Sequence, residues 1–128
     1  MLVVKKFGGT SVANKERIYN VARRCTEEYI KGNDVVVVLS AMGDTTDDLI
    51  SLAREITDRP SRRELDMLLS TGEQVSVALT AMAVHSMGCP VISLNAFQVA
   101  MHTTKVHGNA RLKTIDLERI KNELDNHK

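Results

Sequence analysis

A run of consecutive apolar residues, Val35 to Leu39, constrains the fold of this 128-residue chain more than any other feature. A strand that is apolar at every position, and β-branched at most of them, is typical of a parallel sheet covered on both faces. Leu2 to Phe7 predicts an earlier strand, which ends at two glycines. A helix is predicted between the two strands, because apolar residues recur there at helical spacing: Ile18, Val21, Ala22, Cys25 and Tyr29. The sequence therefore predicts a βαβ unit and an α/β fold with a mostly parallel sheet.

The first half of the chain also contains recognisable helix ends. Ser11 or Asn14 is expected to cap the first helix, and Gly32-Asn33 to stop it. A second short helix is predicted through Leu49, Ile50, Leu52, Ala53 and Ile56. Pro60 then interrupts the chain, and Ser61 to Glu64 fits the S-x-x-E capping box, so a third helix is predicted to begin there.

The second half is less regular. Ser70 to Gly72 predicts a break, followed by a further helix that carries Val75, Ala78, Leu79 and Met82. Val91 to Leu94 predicts a third strand. Ala100 to Val106 favours extended structure, and a turn is expected at His107 to Asn109. A final amphipathic helix is predicted from Leu117, Ile120 and Leu124.

Charge and composition exclude several classes of function. The 17 basic and 16 acidic residues are spread along the chain, whereas nucleic-acid or anionic membrane surfaces need clustered Lys and Arg. No apolar run approaches the ~20 residues of a membrane span. The N-terminus has no signal-peptide pattern, and Cys25 is expected to be a buried, reduced thiol. The four histidines lack metal-ligand spacing. We therefore expect a cytoplasmic protein without a protein-only metal site.

The segment from Lys6 to Ser11, K-F-G-G-T-S, is the first candidate functional site. Gly8 and Gly9 allow the backbone to approach a ligand and to direct N–H groups at an anion, and the following helix N-terminus adds partial positive charge. Lys6 lies at the strand's carboxyl end, where open α/β sheets bind ligands. The residues support two interpretations equally: a phosphate-binding loop beside a lysine, or a tight turn with a solvated lysine. The segment is neither a Walker A motif nor G-x-G-x-x-G.

Two other segments carry polar side chains beside predicted element ends. Ser40 and Thr46, after the second strand, can offer hydroxyls to a small polar ligand, although helix capping by Thr45 or Thr46 is the commoner use of such residues. Glu73 follows Gly72 in a helical region. It is either a solvated or capping carboxylate, or a charge partner for a substrate ammonium group.

Together these segments resemble the aspartate kinases of the amino-acid kinase family. The matching runs are K-F-G-G-T-S-V at Lys6 to Val12, V-V-V-V-x-S-A-M-G-x-x-T-D at Val35 to Asp47, D-M-L-L-x-T-G-E at Asp66 to Glu73 and H-G-N-A-R at His107 to Arg111. Four runs in the expected order make the resemblance specific, and it covers nearly the whole chain. It implies a three-layer αβα sandwich. It also implies that MgATP and L-aspartate react to give ADP and 4-phospho-L-aspartate, the entry step toward lysine, threonine and methionine.

The resemblance assigns the candidate residues to two groups. The ATP and phosphate group is Lys6, Phe7, Gly8 and Gly9. The aspartate group is Ser40, Thr46 and Glu73. Lys6, which contacts the transferring phosphate, and Glu73, which holds the substrate's amino group, are the catalytic pair. Arg111 lies in a matching run without an assigned role, and no residue is assigned to Mg²⁺.

The sequence also departs from the family pattern. It contains neither the G-F-x-G segment nor the G-R-G-G-S-D motif that follow in aspartate kinases. Residues 1–128 are therefore expected to be the N-terminal, substrate- and phosphate-binding part of the kinase domain, without the ATP-binding half and regulatory domains. We expect this piece to be inactive alone and to form homo-oligomers or self-associate. The alternatives are a kinase for another small acid, or a non-catalytic phosphate-binding or assembly module.

Overall fold

The computed structural model describes residues 1–128 and begins with the predicted βαβ unit. Strand β1 (Leu2–Phe7) is followed by a single 3₁₀ turn (Gly9–Val12), helix α1 (Lys15–Ile30) and strand β2 (Asp34–Leu39). The two strands pair in parallel along their whole length, from Leu2 opposite Asp34 to Phe7 opposite Leu39. The parallel pairing inferred from the apolar run is confirmed.

Helix α1 has the predicted ends and the predicted buried face. Of the two candidate caps, Asn14 is the one used: its Oδ1 accepts a hydrogen bond from the Arg17 N–H at 3.0 Å. Gly32 follows the helix in the left-handed region, with φ of +86°, where a side chain would be strained.

The core of the molecule consists of Val12, Ile18, Val21, Ala22, Cys25, Ala83, Val84 and Cys89. Both cysteines are buried and free, and burial raises the pKa of the Cys25 thiol.

The two faces of the β1–β2 sheet differ. Phe7 and the inward residues of β2 pack against the core, on the side of α1 and α3. On the opposite face, Val4 is 62% exposed and Val38 is 47% exposed. The prediction that β2 is buried on both faces is therefore wrong within residues 1–128, because their helices cover only one face of the sheet.

Two helices follow β2, namely α2 (Thr45–Ile56) and α3 (Arg62–Ser86). Pro60 precedes α3 and Ser61 is its N-cap residue, as predicted. The capping box itself is not formed, because the Ser61 side chain makes no capping hydrogen bond. The helix start was correctly predicted, but the reciprocal hydrogen bonding was not.

The predicted break at Ser70 to Gly72 is wrong, because α3 is continuous. The hydroxyls of Ser70 and Thr71 donate to the carbonyls of Met67 and Leu68 in the preceding turn, at 2.8 and 2.7 Å, so their side chains are accommodated within the helix. Gly72 is buried inside the helix, where it serves packing and not chain reversal.

The second half of helix α3 buries mostly small residues and exposes several large ones. The buried residues are Gly72, Ser76, Thr80, Ala83 and Val84. Val75, Leu79 and Met82, which predicted this helical segment, are 50%, 38% and 66% exposed. Small side chains on the inner face let α3 lie close to α1 and α2, against which it packs.

Helix α3 is also long and apolar enough to cross a membrane by length and composition, with a mean hydropathy of 1.3 over 18 residues. Part of that window, 28%, is buried against the rest of the chain. Core helices of water-soluble proteins meet the same criterion, so length and composition alone are weak evidence that α3 spans a membrane.

The predicted strand Val91 to Leu94 is wrong, because this segment forms no ladder with β1 or β2. Val91 instead packs against the core. An apolar run indicates burial, whereas strand pairing also requires a partner edge in register. Of the extended segment predicted at Ala100 to Val106, only Met101–Thr103 is a strand, β3, while the predicted turn at His107 to Asn109 is confirmed. Strand β3 pairs with β4 (Leu112–Ile115) in an antiparallel hairpin. The final predicted helix is α4 (Glu118–Asp125).

A polar network on the α1 side of the sheet surrounds Glu28. Its carboxylate accepts hydrogen bonds from Lys31 Nζ at 3.2 Å and Asn33 Nδ2 at 3.1 Å, and Lys5 Nζ lies 3.5 Å away. The hydrogen bond from Lys31 lowers the pKa of Glu28 most, helped by the positive charges of Lys31 and Lys5 and by Asn33, and partial burial opposes them. A lowered native pKa means that the ionised carboxylate stabilises the fold above its ordinary pKa, and that this contribution disappears as the pH falls through the lowered value.

Replacing Glu28 by glutamine is therefore expected to lower the Tm at pH 7 by about 1–2 °C, a small effect because the ion pairs are only partly shielded from solvent. The difference from the unmodified chain should vanish as the pH is lowered through the native pKa of Glu28. Thermal unfolding from pH 7 to pH 2 measures both. The exposed neighbour Glu27→Gln is the matched control and should show no such convergence. An equal loss at every pH would show that shape, and not charge, is responsible.

Candidate functional site

The loops that follow β1 and β2 lie side by side at the carboxyl end of the sheet. The Ser40 N–H donates to the Phe7 carbonyl at 3.2 Å, which extends the pairing of the two strands by one residue. The Gly43 N–H donates to the Gly9 carbonyl at 2.9 Å and joins the loops directly. Because both loops are bonded backbone to backbone, their mutual position does not depend on flexible side chains.

Gly9 is required for this close approach. A Cβ at Gly9 would stand 2.8 Å from the Ala41 carbonyl oxygen and 3.2 Å from that of Gly43. Gly43 has φ of +49°, in the left-handed region that favours glycine. Glycine is therefore needed at the two positions for different reasons. At Gly9 a side chain would collide with the other loop, and at Gly43 the backbone conformation disfavours one.

Helix α3 joins the same point through Gly72. A Cβ at Gly72 would lie 3.0 Å from Ala41 Cβ and 3.5 Å from Thr45 Cγ2. Ala41 is 4% exposed and is contacted from both sides, by Gly9 and by Gly72. The structure thus brings together the three segments that carry Lys6, Ser40 and Glu73, and we call the three contacting residues Gly9, Ala41 and Gly72 the glycine junction.

The two adjacent lysines of β1 point to opposite faces of the sheet, since side chains alternate along a strand. Lys5 Nζ donates to the Arg24 carbonyl at 3.1 Å and pairs with Glu28, so Lys5 faces α1. Lys6 is exposed and lies on the open face with Val4 and Val38. Of the two ammonium groups, that of Lys6 is the one directed away from the core and available to a ligand.

The other predicted site residues lie around the glycine junction. Ser40 and Thr46 are half-buried, in the β2–α2 loop and in the first turn of α2. Glu73 is exposed and directly follows Gly72. The Phe7 side chain packs against the core, so only its backbone faces the loops. Gly8 is exposed, with open space where a Cβ would be.

The alternative use of Thr45 or Thr46 as a helix cap is wrong. Asp44 is the N-cap residue of α2, without a side-chain capping bond, and Thr45 donates its hydroxyl to the Met42 carbonyl at 2.6 Å. Thr46 makes no hydrogen bond through its side chain within residues 1–128. Its hydroxyl is therefore not used by the helix start.

Sequence reasoning missed the packing roles of Ala41 and Gly72. The signal for Gly72 was present, because an isolated glycine within a helical pattern usually has a packing or functional reason. The glycine and the two hydroxyl residues before it predict a break instead.

Chemically, the arrangement offers one ammonium group, glycine-rich backbone, two hydroxyls and one carboxylate around a junction of three chain segments. Residues 1–128 contain no cluster of three or more His, Cys, Asp or Glu side chains that could hold a metal ion.

Known proteins resemble the chain along its whole length. The model of the amino acid kinase family matches residues 1–128. An aspartokinase of Geobacillus stearothermophilus is 57% identical over 124 residues, which is 97% of this chain and 30% of that protein. Aspartokinase 2 of Bacillus subtilis is 49% identical over the same shares. The chain thus spans about 30% of the length of these relatives.

Solved structures agree with the sequence comparison. The crystal structure of aspartate kinase from Synechocystis has 45% sequence identity and a TM-score of 0.87, and the match covers 100% of this chain and 21% of that one. This likeness confirms the predicted α/β fold, of which residues 1–128 contain the β1–β2 sheet and the helices on one of its faces. Residues 1–128 belong to the amino acid kinase family.

Proposed function

We propose that residues 1–128 are the aspartate- and phosphate-binding part of an aspartate kinase, which transfers the γ-phosphoryl group of ATP to the β-carboxylate of L-aspartate. The observation that carries this proposal is the glycine junction, which places three polar segments around one point at the carboxyl end of a parallel sheet. The relatives named aspartokinase, which match 97% of the chain, support the same activity.

The reaction brings two anions together, and the proposed roles follow from this. The Lys6 ammonium group, exposed on the open face, would neutralise charge on the transferring phosphoryl group, and the glycine-rich loop at Gly8 and Gly9 would approach its oxygens closely. Phosphoryl transfer needs little covalent work from the protein, so positioning and charge dominate. No general base is required, because a carboxylate is already ionised at neutral pH.

ATP is expected to arrive as MgATP. Mg²⁺ is commonly held by substrate phosphates with one or two carboxylates, and the absence of an acidic cluster in residues 1–128 is compatible with an ion held mainly by the nucleotide. The parts that bind adenine would lie in the remainder of the full-length protein. Activity measurements therefore use the full-length protein that contains these residues.

On the aspartate side, we propose that Ser40, Thr46 and Glu73 contact the substrate. Glu73 follows the Gly72 contact on α3, and Thr46 follows Thr45, which Gly72 faces. The two side chains therefore extend from adjoining points of neighbouring helices. A carboxylate there can pair with the substrate's ammonium group, and a hydroxyl can bond its carboxylate.

A kinase for another small acid is the remaining candidate on this fold. Purified full-length protein, assayed for ADP release with aspartate, glutamate, N-acetylglutamate and carbamate, tests the proposal. ADP release that depends on aspartate alone supports it. Release with another acid, or with none, would assign the site to a different substrate.

Replacing Glu73 by glutamine is expected to raise the KM for aspartate about tenfold or more, with the KM for ATP nearly unchanged. Glutamine keeps the shape of the side chain but loses the charge that pairs with the substrate ammonium group, and such a charged bond is worth about 1.5–3 kcal/mol. Steady-state kinetics with each substrate varied measures both constants. The exposed Glu55→Gln on α2 is the control. A higher KM for ATP instead would place Glu73 at the nucleotide.

A further inference from the structure

The β3–β4 hairpin has little to hold it in place. All of its strand residues are exposed, and β3 and β4 contact each other without extended contact to another helix or strand. A two-stranded hairpin by itself is only marginally stable in water. Its position in the molecule must therefore depend on a few specific contacts.

One such contact joins the hairpin turn to helix α3. Asp66 Oδ2 accepts a hydrogen bond from the Gly108 N–H at 2.8 Å, and His107 Nδ1 lies 3.3 Å from the same oxygen. Gly108 has φ of +76°, and the Arg62 side chain lies 3.8 Å from the position of a Cβ there. The turn is thus held by a carboxylate on the first turns of α3. We call this contact the Asp66 tether.

The tether lies on the same face of α3 as the proposed aspartate site. Asp66 and Glu73 are seven residues apart, which is close to two full helical turns, so they share a face about 10 Å apart along the axis. The hairpin turn therefore contacts the helix face that carries Glu73, but about two turns nearer the start of α3, where the Arg62 side chain also lies beside it. The hairpin also contains Arg111, whose N–H donates to Thr104 Oγ1 at 2.9 Å within the hairpin.

We propose that Asp66 is a positioning residue that holds the hairpin turn on α3 and thereby sets how the hairpin borders the aspartate site on the Glu73 face of the helix. This inference rests on the proposed function, because it concerns the substrate of that site. Asp66 acts through the hairpin backbone and need not contact the substrate.

The tether itself is tested by hydrogen exchange of the full-length protein. In Asp66→Ala, the peptide that covers the His107-Gly108 turn is expected to exchange about tenfold faster, because the amide loses a charged acceptor. Asp66→Asn keeps an acceptor oxygen at the same position and should retain most of the protection. Asp58→Ala, in an exposed segment before α3, is the control. Unchanged exchange in Asp66→Ala would overturn the inference.

The consequence for the site is tested by kinetics on the same variants. Asp66→Ala is expected to raise the KM for aspartate about five- to tenfold, with the KM for ATP and the Tm little changed, and Asp66→Asn should recover most of the loss. Equal damage to both substrates, or a fall in Tm that Asp66→Asn does not recover, would show a merely structural role and overturn the inference. The unmodified protein is assayed first. If it does not phosphorylate aspartate, the proposed function is overturned, independently of the result for Asp66.

Discussion

Replacing Lys6 by alanine in the full-length protein is expected to reduce the kcat of the proposed aspartate kinase reaction by about 10²–10³, with little change in the KM for aspartate. Lys6 lies exposed on the open face of the sheet, at the carboxyl end of β1. Its ammonium group is proposed to meet the charge that develops on the transferring phosphoryl group. Losing one such donor typically costs about this factor, and the loss appears in turnover because the interaction strengthens in the transition state.

Lys5 provides an unusually close control for this experiment. It has the same side chain, one position earlier, but points to the other face, where it bonds the Arg24 carbonyl and pairs with Glu28. Lys5→Ala should lower the Tm slightly and leave kcat near its normal value. Near-normal kcat in Lys6→Ala, or an equal loss in both variants, would remove Lys6 from the active site.

Replacing Gly9 by alanine is expected to destabilise the fold by about 1–3 kcal/mol, the usual cost of overpacking a well-packed site. The new Cβ would stand 2.8 Å from the Ala41 carbonyl oxygen, which belongs to the backbone and has little room to move. The two loops would separate, so turnover of the proposed reaction in the full-length protein should fall as well. Urea or thermal unfolding measures the loss of stability.

Gly8→Ala is the matched control for stability. Nothing lies within 4 Å of a Cβ at Gly8, and its φ of −77° and ψ of 174° suit any residue. This substitution should leave the free energy of unfolding unchanged or slightly higher. Equal destabilisation by both substitutions would mean that the loop tolerates no side chain at all, and that the glycine junction is not the cause.

Local patterns were sufficient where a segment's structure depends on its own residues. The spacing of apolar residues predicted α1, and the bonding of Asn14 and the left-handed Gly32 confirm its ends. Local patterns failed where contact with a distant segment decides the structure. Gly72 looks like a helix break in isolation, yet in the fold it is the point at which α3 meets Ala41.

The candidate site shows the same division. The residue types at Lys6, Gly8 and Gly9 were visible as a possible phosphate-binding loop, but the residues alone could not separate that interpretation from a solvated turn. The structure shows that Lys6 is free of the core while Lys5 is engaged, and that Gly9 is needed for loop contact while Gly8 is not. The Asp66 tether was invisible, because its partners are 42 positions apart.

By itself, the sequence determined the α/β class, the parallel pairing of β1 and β2, and where α1, α2, α3 and α4 begin to within a few residues, because apolar periodicity and capping residues are properties of short segments. Only the tertiary structure decided which face of the sheet is covered, that α3 is one helix with small residues inside, and that residues 91–94 form no strand. These outcomes depend on what packs against a segment, and a distant partner's position is not encoded in local spacing. The glycine junction is the clearest case: its residues are separated along the chain, and backbone packing alone brings them into contact.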